Sequence, residues 1–94
     1  MGSTFEWHEE KAKNNLRKHK VNFEEAKTIF NDPCSITLFD SSYSSDEESR
    51  YIDIGYSSKR QLLVAVYTER NSNIRIISCR KATQSERRLY EQNP

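Results

Sequence analysis

The stretch "QLLVAVYTERNSNIRIISCRK", residues 61–81, decides the fold. Residues 62–67 are apolar without interruption, the pattern of a central strand covered on both faces. "ERNSN" is a short polar link of the kind that closes a hairpin. "IRIISC" then sets Ile74 and Ile76 on one side of a second strand and Arg75 and Ile77 on the other. Arg80 and Lys81 end that strand. Thr83 with Glu86 three residues on is a capping-box pattern, opening a helix that carries Arg87, Arg88 and Tyr90.

Upstream, Ile52, Ile54 and Tyr56 alternate in "RYIDIGY", and Ile36 and Leu38 alternate in "SITLF". These give two more strands, joined to the third by the short link "SSKR". Between them "DSSYSSDEES", residues 40–49, is long, acidic and Ser-rich, and is expected to be a mobile loop. Residues 5–20 read as a helix, with Glu9 and Glu10 near its start and Arg17 and Lys18 near its end, as the helix dipole favours. "VNFEEAKTIF" reads as a second helix, with Asn22 as N-cap, Glu25 completing a capping box and Val21 stapled on Ala26. "NDP" ends it. The expected class is α+β: two N-terminal helices, a four-stranded antiparallel meander sheet and a C-terminal helix.

Ninety-four residues supply one core and one domain, residues 1–94, with the opening residues 1–4 set aside as the kind a cloning step leaves. Hydrophobic residues make up 34%, so the core must be compact and a partner can supply missing burial. No apolar run approaches the length of a membrane span, and no signal-peptide core opens the chain, so a cytoplasmic protein is expected. Cys34 and Cys79 read as reduced, partly buried thiols.

Net charge is +1, but unevenly spread. Residues 11–20 carry five cations and no acid; residues 40–53 carry five acids against Arg50; residues 59–94 carry eight cations against three acids. Such a chain can meet an anion on one side and a different partner on another. The only glycines are Gly2 and Gly55, so Gly-rich phosphate cradles are excluded. His, Cys and carboxylates show no ligand spacing, so no metal or cofactor is expected.

A metal-free route to cutting RNA stays open, because RNA brings its own nucleophile, the 2′-hydroxyl. The protein then needs a base, cations over the developing phosphorane charge and a proton source. Guanidinium groups suit the second task. Arg70, Arg80 and Arg50 stand at strand ends, Glu69 is an available base, and Tyr67 and His19 are available as proton carriers or base-stacking groups. Each also has a plainer role: Arg50 as a surface ion pair, Tyr67 as core, Arg87 and Arg88 as a solvated face.

Taken together, "FEWHEEKAKNNLRKHKVNFEEAKTIFNDP", "RYIDIGYSS", "LLVAVYTER" and "IRIISCRKATQSERRLYE" resemble the BrnT toxin family of the RelE-like ribonuclease superfamily. The resemblance implies a type II toxin that cleaves RNA and inhibits translation. It implies a BrnA-type antitoxin, a heterotetramer built on an antitoxin dimer, and operator DNA bound only through that antitoxin. The family's functional positions fall on Trp7, Glu69, Arg70 and Arg80, with Lys81 and Arg50 beside them. Trp7 either stacks on a base or packs, the commoner fate of an indole on a helix. One departure stands out: the family has His-Gly where this chain has His19-Lys20, so Lys20 must adopt positive φ or the turn must change. The competing expectation is a non-catalytic module that uses the same basic surface to hold antitoxin or nucleic acid.

Overall fold

A computed structural model of the chain describes residues 4–40 and 49–92. The elements run β1 (Thr4–Glu6), α1 (Glu9–His19), α2 (Phe23–Ala26) continued by a 3₁₀ turn (Lys27–Asn31), β2 (Ile36–Asp40), β3 (Arg50–Tyr56), β4 (Leu62–Arg70), β5 (Asn73–Lys81) and α3 (Gln84–Gln92). One sheet holds all five strands in the order β1-β5-β4-β3-β2. Most of the expected acidic loop, and residues 1–3, lie outside the described residues. Among the described residues no helix is long and apolar enough to cross a membrane.

The class is α+β as expected, with two corrections. The sheet is mixed and five-stranded, because Thr4, Phe5 and Glu6 pair parallel with Asn73, Ile74 and Arg75. The first helix therefore starts at Glu9, not at residue 5. The second helix is a single α-helical turn that tightens to 3₁₀ after Ala26. Its Asn22 side chain does accept from Glu25 N, at 2.7 Å. The Glu25 carboxylate does not return the bond: it takes the Ser57 hydroxyl at 2.6 Å and Gln61 Nε2 at 2.7 Å, pinning the β3–β4 turn.

β4 is covered on both faces, as its unbroken apolar run requires. Leu63, Ala65 and Tyr67 pack with Val21, Phe23, Ala26, Ile29, Ile74, Ile76 and Cys79 beneath α1 and α2. Leu62 and Val64 pack with Ile54, flanked by Ile36, Ile52, Ala82 and Tyr90 of the α3 side. The β4–β5 loop is two residues, Asn71 and Ser72, both at positive φ (47° and 76°), the backbone of a type I′ hairpin whose twist matches its strands. Gly55 lets β3 approach the 3₁₀ turn: a Cβ there would lie 3.0 Å from Ser35 Cβ and 3.3 Å from the Ile29 carbonyl oxygen.

A register shift between Val66 and Tyr67 leaves Ile77 as an extra residue in β5, since Val66 opposes Ser78 and Tyr67 opposes Ile76. This bulge resets the alternation. Ile74, Ile76 and Cys79 consequently share the main core although 76 and 79 differ by an odd number.

Lys20 keeps the left-handed cap that glycine would provide. Its φ is 62° and its N–H donates to the Leu16 carbonyl. A Cβ in this region costs free energy that glycine avoids. Lys20→Gly is expected to raise unfolding free energy by about 1 kcal/mol, read from the urea midpoint at unchanged slope. A variant no more stable than the wild type would show that the Lys20 side chain offsets its backbone strain.

Candidate nucleic-acid interface

The bulge and the strand register decide where the cations stand. On β4, Val64, Val66, Thr68 and Arg70 share the face turned toward α3. Arg50 opposes Thr68 across β3, Arg75 opposes Thr68 across β5, and Arg80 opposes Val64. Four arginines, at 50, 70, 75 and 80, therefore lie on one sheet face. Without the bulge, Arg75 and Arg80, five residues apart, would face opposite ways. Thr68 sits between Arg50 and Arg75, 1% exposed, and its hydroxyl has no hydrogen-bond partner among the described residues. A buried unpaired hydroxyl costs stability.

The face is not one site. Arg70 opposes Asn73 at the hairpin tip, whereas Arg80 opposes Val64 near the other end of β4. Six residues of strand separate Val64 from Arg70, about 20 Å at the usual rise. The expectation that these two arginines converge on one phosphate is therefore corrected. Arg70 and Glu69 are both exposed at the tip. Glu69, opposing Ile74, leaves the sheet on the α1 side, and its charge reaches Asp53 and Tyr67.

Arg80 is held by a carboxylate and a backbone carbonyl. Its Nη1 donates to Glu86 Oε1 at 2.7 Å and its Nη2 to Glu86 Oε2 at 2.8 Å, a bidentate pair. Nη1 also donates to the Lys81 carbonyl at 3.3 Å. Of its five donors, Nε–H and one Nη2–H remain, and these form one edge that can take a phosphate side-on. Glu86 belongs equally to the helix start: Thr83 N donates to Oε1 at 2.8 Å and Glu86 N to the Thr83 hydroxyl at 3.2 Å. The capping box read from the sequence is complete, and the same carboxylate fixes Arg80 through both of its oxygens. The Arg80 hydrogen bonds, with those from Thr83, hold the Glu86 carboxyl down at about 2 against the opposing effect of burial.

A pH dependence follows. Glu86 has a depressed folded pKa, so its contribution to stability is present above the ordinary glutamate range and is lost as pH falls toward about 2. The gap in urea midpoint between wild type and Glu86→Gln should be widest near neutrality and shrink between about pH 5 and pH 2. A gap independent of pH would mean the pair does not stabilise the fold.

The other expected site residues are scattered. Tyr67 is core, its hydroxyl donating to the buried Asp53 carboxylate at 2.9 Å; burial and that carboxylate push its pKa up, so it is a poor proton source. Trp7 packs edge-on to Phe23, with centroids 5.8 Å apart, and donates to Glu9 Oε1 at 2.9 Å. It lines a groove with Ala12, Leu16 and Phe23. His19 ends α1 and lines a separate groove with Lys11, Lys18, Ile77 and Ser78. Arg50 sits at the tip-side end of β3, opposite Asp40. Lys81 is exposed at the end of β5. Cys79 is fully buried and its thiol is pushed up to about 12 by burial, which rules it out as a nucleophile; Cys34 is exposed rather than partly buried. Among the described residues no three His, Cys, Asp or Glu side chains converge as a metal site.

Two contributors escaped the sequence reading. Strand alternation alone assigns Arg75 no role, yet it joins the arginine face and pairs with Glu6 at 2.9 Å. That pair exists because β1 lies beside β5, which nothing in a three-residue strand announces. Glu86 was read only as a cap.

Comparison with known proteins bears on the family and the fold. The model of the family described as "Ribonuclease toxin, BrnT, of type II toxin-antitoxin system" matches residues 7–86. The crystal structure of the Brucella abortus ribonuclease toxin BrnT aligns with a TM-score of 0.66 at 19% identity, covering 87% of this chain and 99% of that one, a likeness of fold. No curated protein is a significant match. With the match spanning most of the sequence, from the Trp7 packing site to the Glu86 cap, the chain belongs to the BrnT family of type II toxin–antitoxin ribonuclease toxins.

Proposed function

We propose that this protein is a metal-independent endoribonuclease that inhibits translation, is neutralised by a BrnA-type antitoxin in a heterotetramer, and co-represses its operon through that antitoxin in the cytoplasm. The observation that carries the chemical part is the arginine face: four guanidinium groups on one side of a sheet, in a family of ribonuclease toxins. They suit an extended RNA backbone better than a single phosphate, because two of them lie about 20 Å apart along the strand.

The register divides the labour. A base and a phosphorane-stabilising cation must reach the same phosphate. Arg70, with Arg50 on the neighbouring strand, and Glu69, which leaves the opposite face of the same hairpin tip, meet that condition only for a phosphate lying across the end of the tip rather than flat on the arginine face; Arg80, at the far end of the sheet, does not. Glu69 takes the proton of the 2′-hydroxyl, whose oxygen attacks phosphorus. Arg70 stabilises the phosphorane, and the 5′-oxygen leaves with a proton from solvent. Arg80, held by Glu86, grips a phosphate further along the strand, with Lys81 beside it. The products are a 2′,3′-cyclic phosphate and a 5′-hydroxyl.

Cleavage should therefore persist in EDTA with those end groups, read by end-labelling and mass spectrometry of the fragments. Loss of activity in EDTA, restored by a divalent ion, would overturn the metal-free mechanism. The non-catalytic reading has one observation in its favour, the neutralisation of Arg80 by Glu86. It predicts harmless overexpression, whereas a toxin should arrest growth and be rescued by its antitoxin.

A further inference from the structure

The β3–β4 turn carries a cluster that the arginine face does not include. Arg60 in the turn, Lys81 at the end of β5 and Arg87 on α3 line one cavity of about 300 Å³, floored by Leu62 and Ala82, with Gln61 at its side. Three cations from three separate elements converge there, and no carboxylate lines the cavity. Two acids bonded or adjacent to its lining residues are committed elsewhere: Glu86, which precedes Arg87, to Arg80 and Thr83, and Glu25 to Ser57 and Gln61. Among the described residues none of the three cations is ion-paired. Arg87 Nη1 donates to the Tyr56 hydroxyl at 3.1 Å, a neutral acceptor that orients the guanidinium without cancelling its charge.

The backbone supplies an independent observation. Arg60 has φ 62°, in the left-handed region, with its N–H donating to the Ser57 carbonyl at 2.9 Å. Glycine or asparagine serves such a turn at less strain. A long cation kept at a strained position points to a use for that side chain.

We propose that this cavity is a phosphate subsite for the RNA strand, taking a phosphodiester beyond the one at Arg80. The α3 side of the sheet is shared: Leu62, Ala82 and Arg87 line the cavity there, and Glu86 holds Arg80 on that same side, so a strand lying against Arg80 leads toward the cavity. The ligand's identity rests on the ribonuclease reading above; the anion site rests on the convergence of Arg60, Lys81 and Arg87.

The test measures binding of a short all-2′-O-methyl single-stranded RNA, which lacks the nucleophile, as a function of salt. Each lost phosphate contact should lower the slope of log affinity against log salt by about 0.7. Arg60→Gly should do this while raising Tm by a few degrees, because it relieves the left-handed strain. Lys81→Gln and Arg87→Gln should lower the slope similarly. Arg88→Gln, the same charge change on the same helix outside the cavity, should not. An Arg60→Gly protein that is more stable but keeps the full slope overturns the proposal, as does an Arg88→Gln slope that falls as far. An Arg60→Gly change that leaves RNA binding intact but weakens capture of the cognate antitoxin overturns it in favour of a protein contact. Separately, cleavage of the 2′-O-methyl strand by the wild type would break the 2′-hydroxyl mechanism and leave the salt slopes to decide the subsite.

Discussion

Asn15→Ala is expected to destabilise the protein by about 3 kcal/mol, more than any other single polar truncation in the structure. Asn15 is 7% exposed in the middle of α1, and its amide serves three backbone groups at once. Nδ2 donates to the Cys79 carbonyl at 2.7 Å and to the Val21 carbonyl at 3.0 Å, and Oδ1 accepts from Cys79 N at 3.1 Å. The position explains the need. β1 covers the outer edge of β5 only from Asn73 to Arg75, so past the bulge that edge has no strand neighbour. Asn15 substitutes for one, pairing both backbone groups of Cys79 from a helix. Alanine would leave a buried N–H and two carbonyls without partners, at about 1–3 kcal/mol for each group that water fails to reach. Asn15→Asp keeps the acceptor but turns a carboxylate toward two carbonyls, so it should be no better than alanine. A loss in urea-derived stability below about 1 kcal/mol for the alanine variant would mean that water enters and replaces the amide.

What the sequence discloses of this fold follows the range over which each signal acts. The β4 run is legible because burial on both faces needs an apolar residue at every position. The Thr83–Glu86 box is legible because its partners are three residues apart and satisfy each other locally. Asn22 and Glu25 show where a local rule stops. The cap forms, but the carboxylate is drawn 32 residues along the chain to Ser57. β1 is too short for alternation to register, and its partner is at the other end of the sequence. The Ile77 bulge has no composition of its own, yet it sets which face Arg80 takes. The distance between Arg70 and Arg80 is different in kind, because simple counting discloses it. A two-residue loop at 71–72 puts Arg70 opposite Asn73, and the rest of β5 then carries Arg80 away. A cation at the tip of one hairpin strand and a cation at the far end of the other cannot meet, however alike their positions look in the sequence.

That separation makes a kinetic prediction with opposite signatures at the two ends. If the hairpin tip does the chemistry, Arg70→Ala removes charge stabilisation made mainly in the transition state. It should lower kcat by about 10²–10³, the loss typical of an electrostatic group aimed at developing charge, with KM little changed. Glu69→Gln should lower kcat by a similar order, as loss of a general base does. Arg80→Ala, about 20 Å along the sheet, should act chiefly on KM, because a phosphate contact remote from the reacting bonds contributes equally to substrate and transition state. Arg70 and Glu69 are both exposed, so their variants are expected to fold, and an unchanged urea midpoint confirms it. Arg80→Ala needs more care, since it strips Glu86 of its bidentate partner and leaves only Thr83 to hold that carboxylate. Arg80→Lys keeps the charge near Glu86 while losing the side-on edge offered to phosphate, and should raise KM at nearly wild-type stability. The reverse pattern, with kcat lost at Arg80 and only KM altered at Arg70, would move the scissile phosphate to the α3 end of the sheet. Glu69 would then be too far away to act as the base, and the proton would have to leave by water.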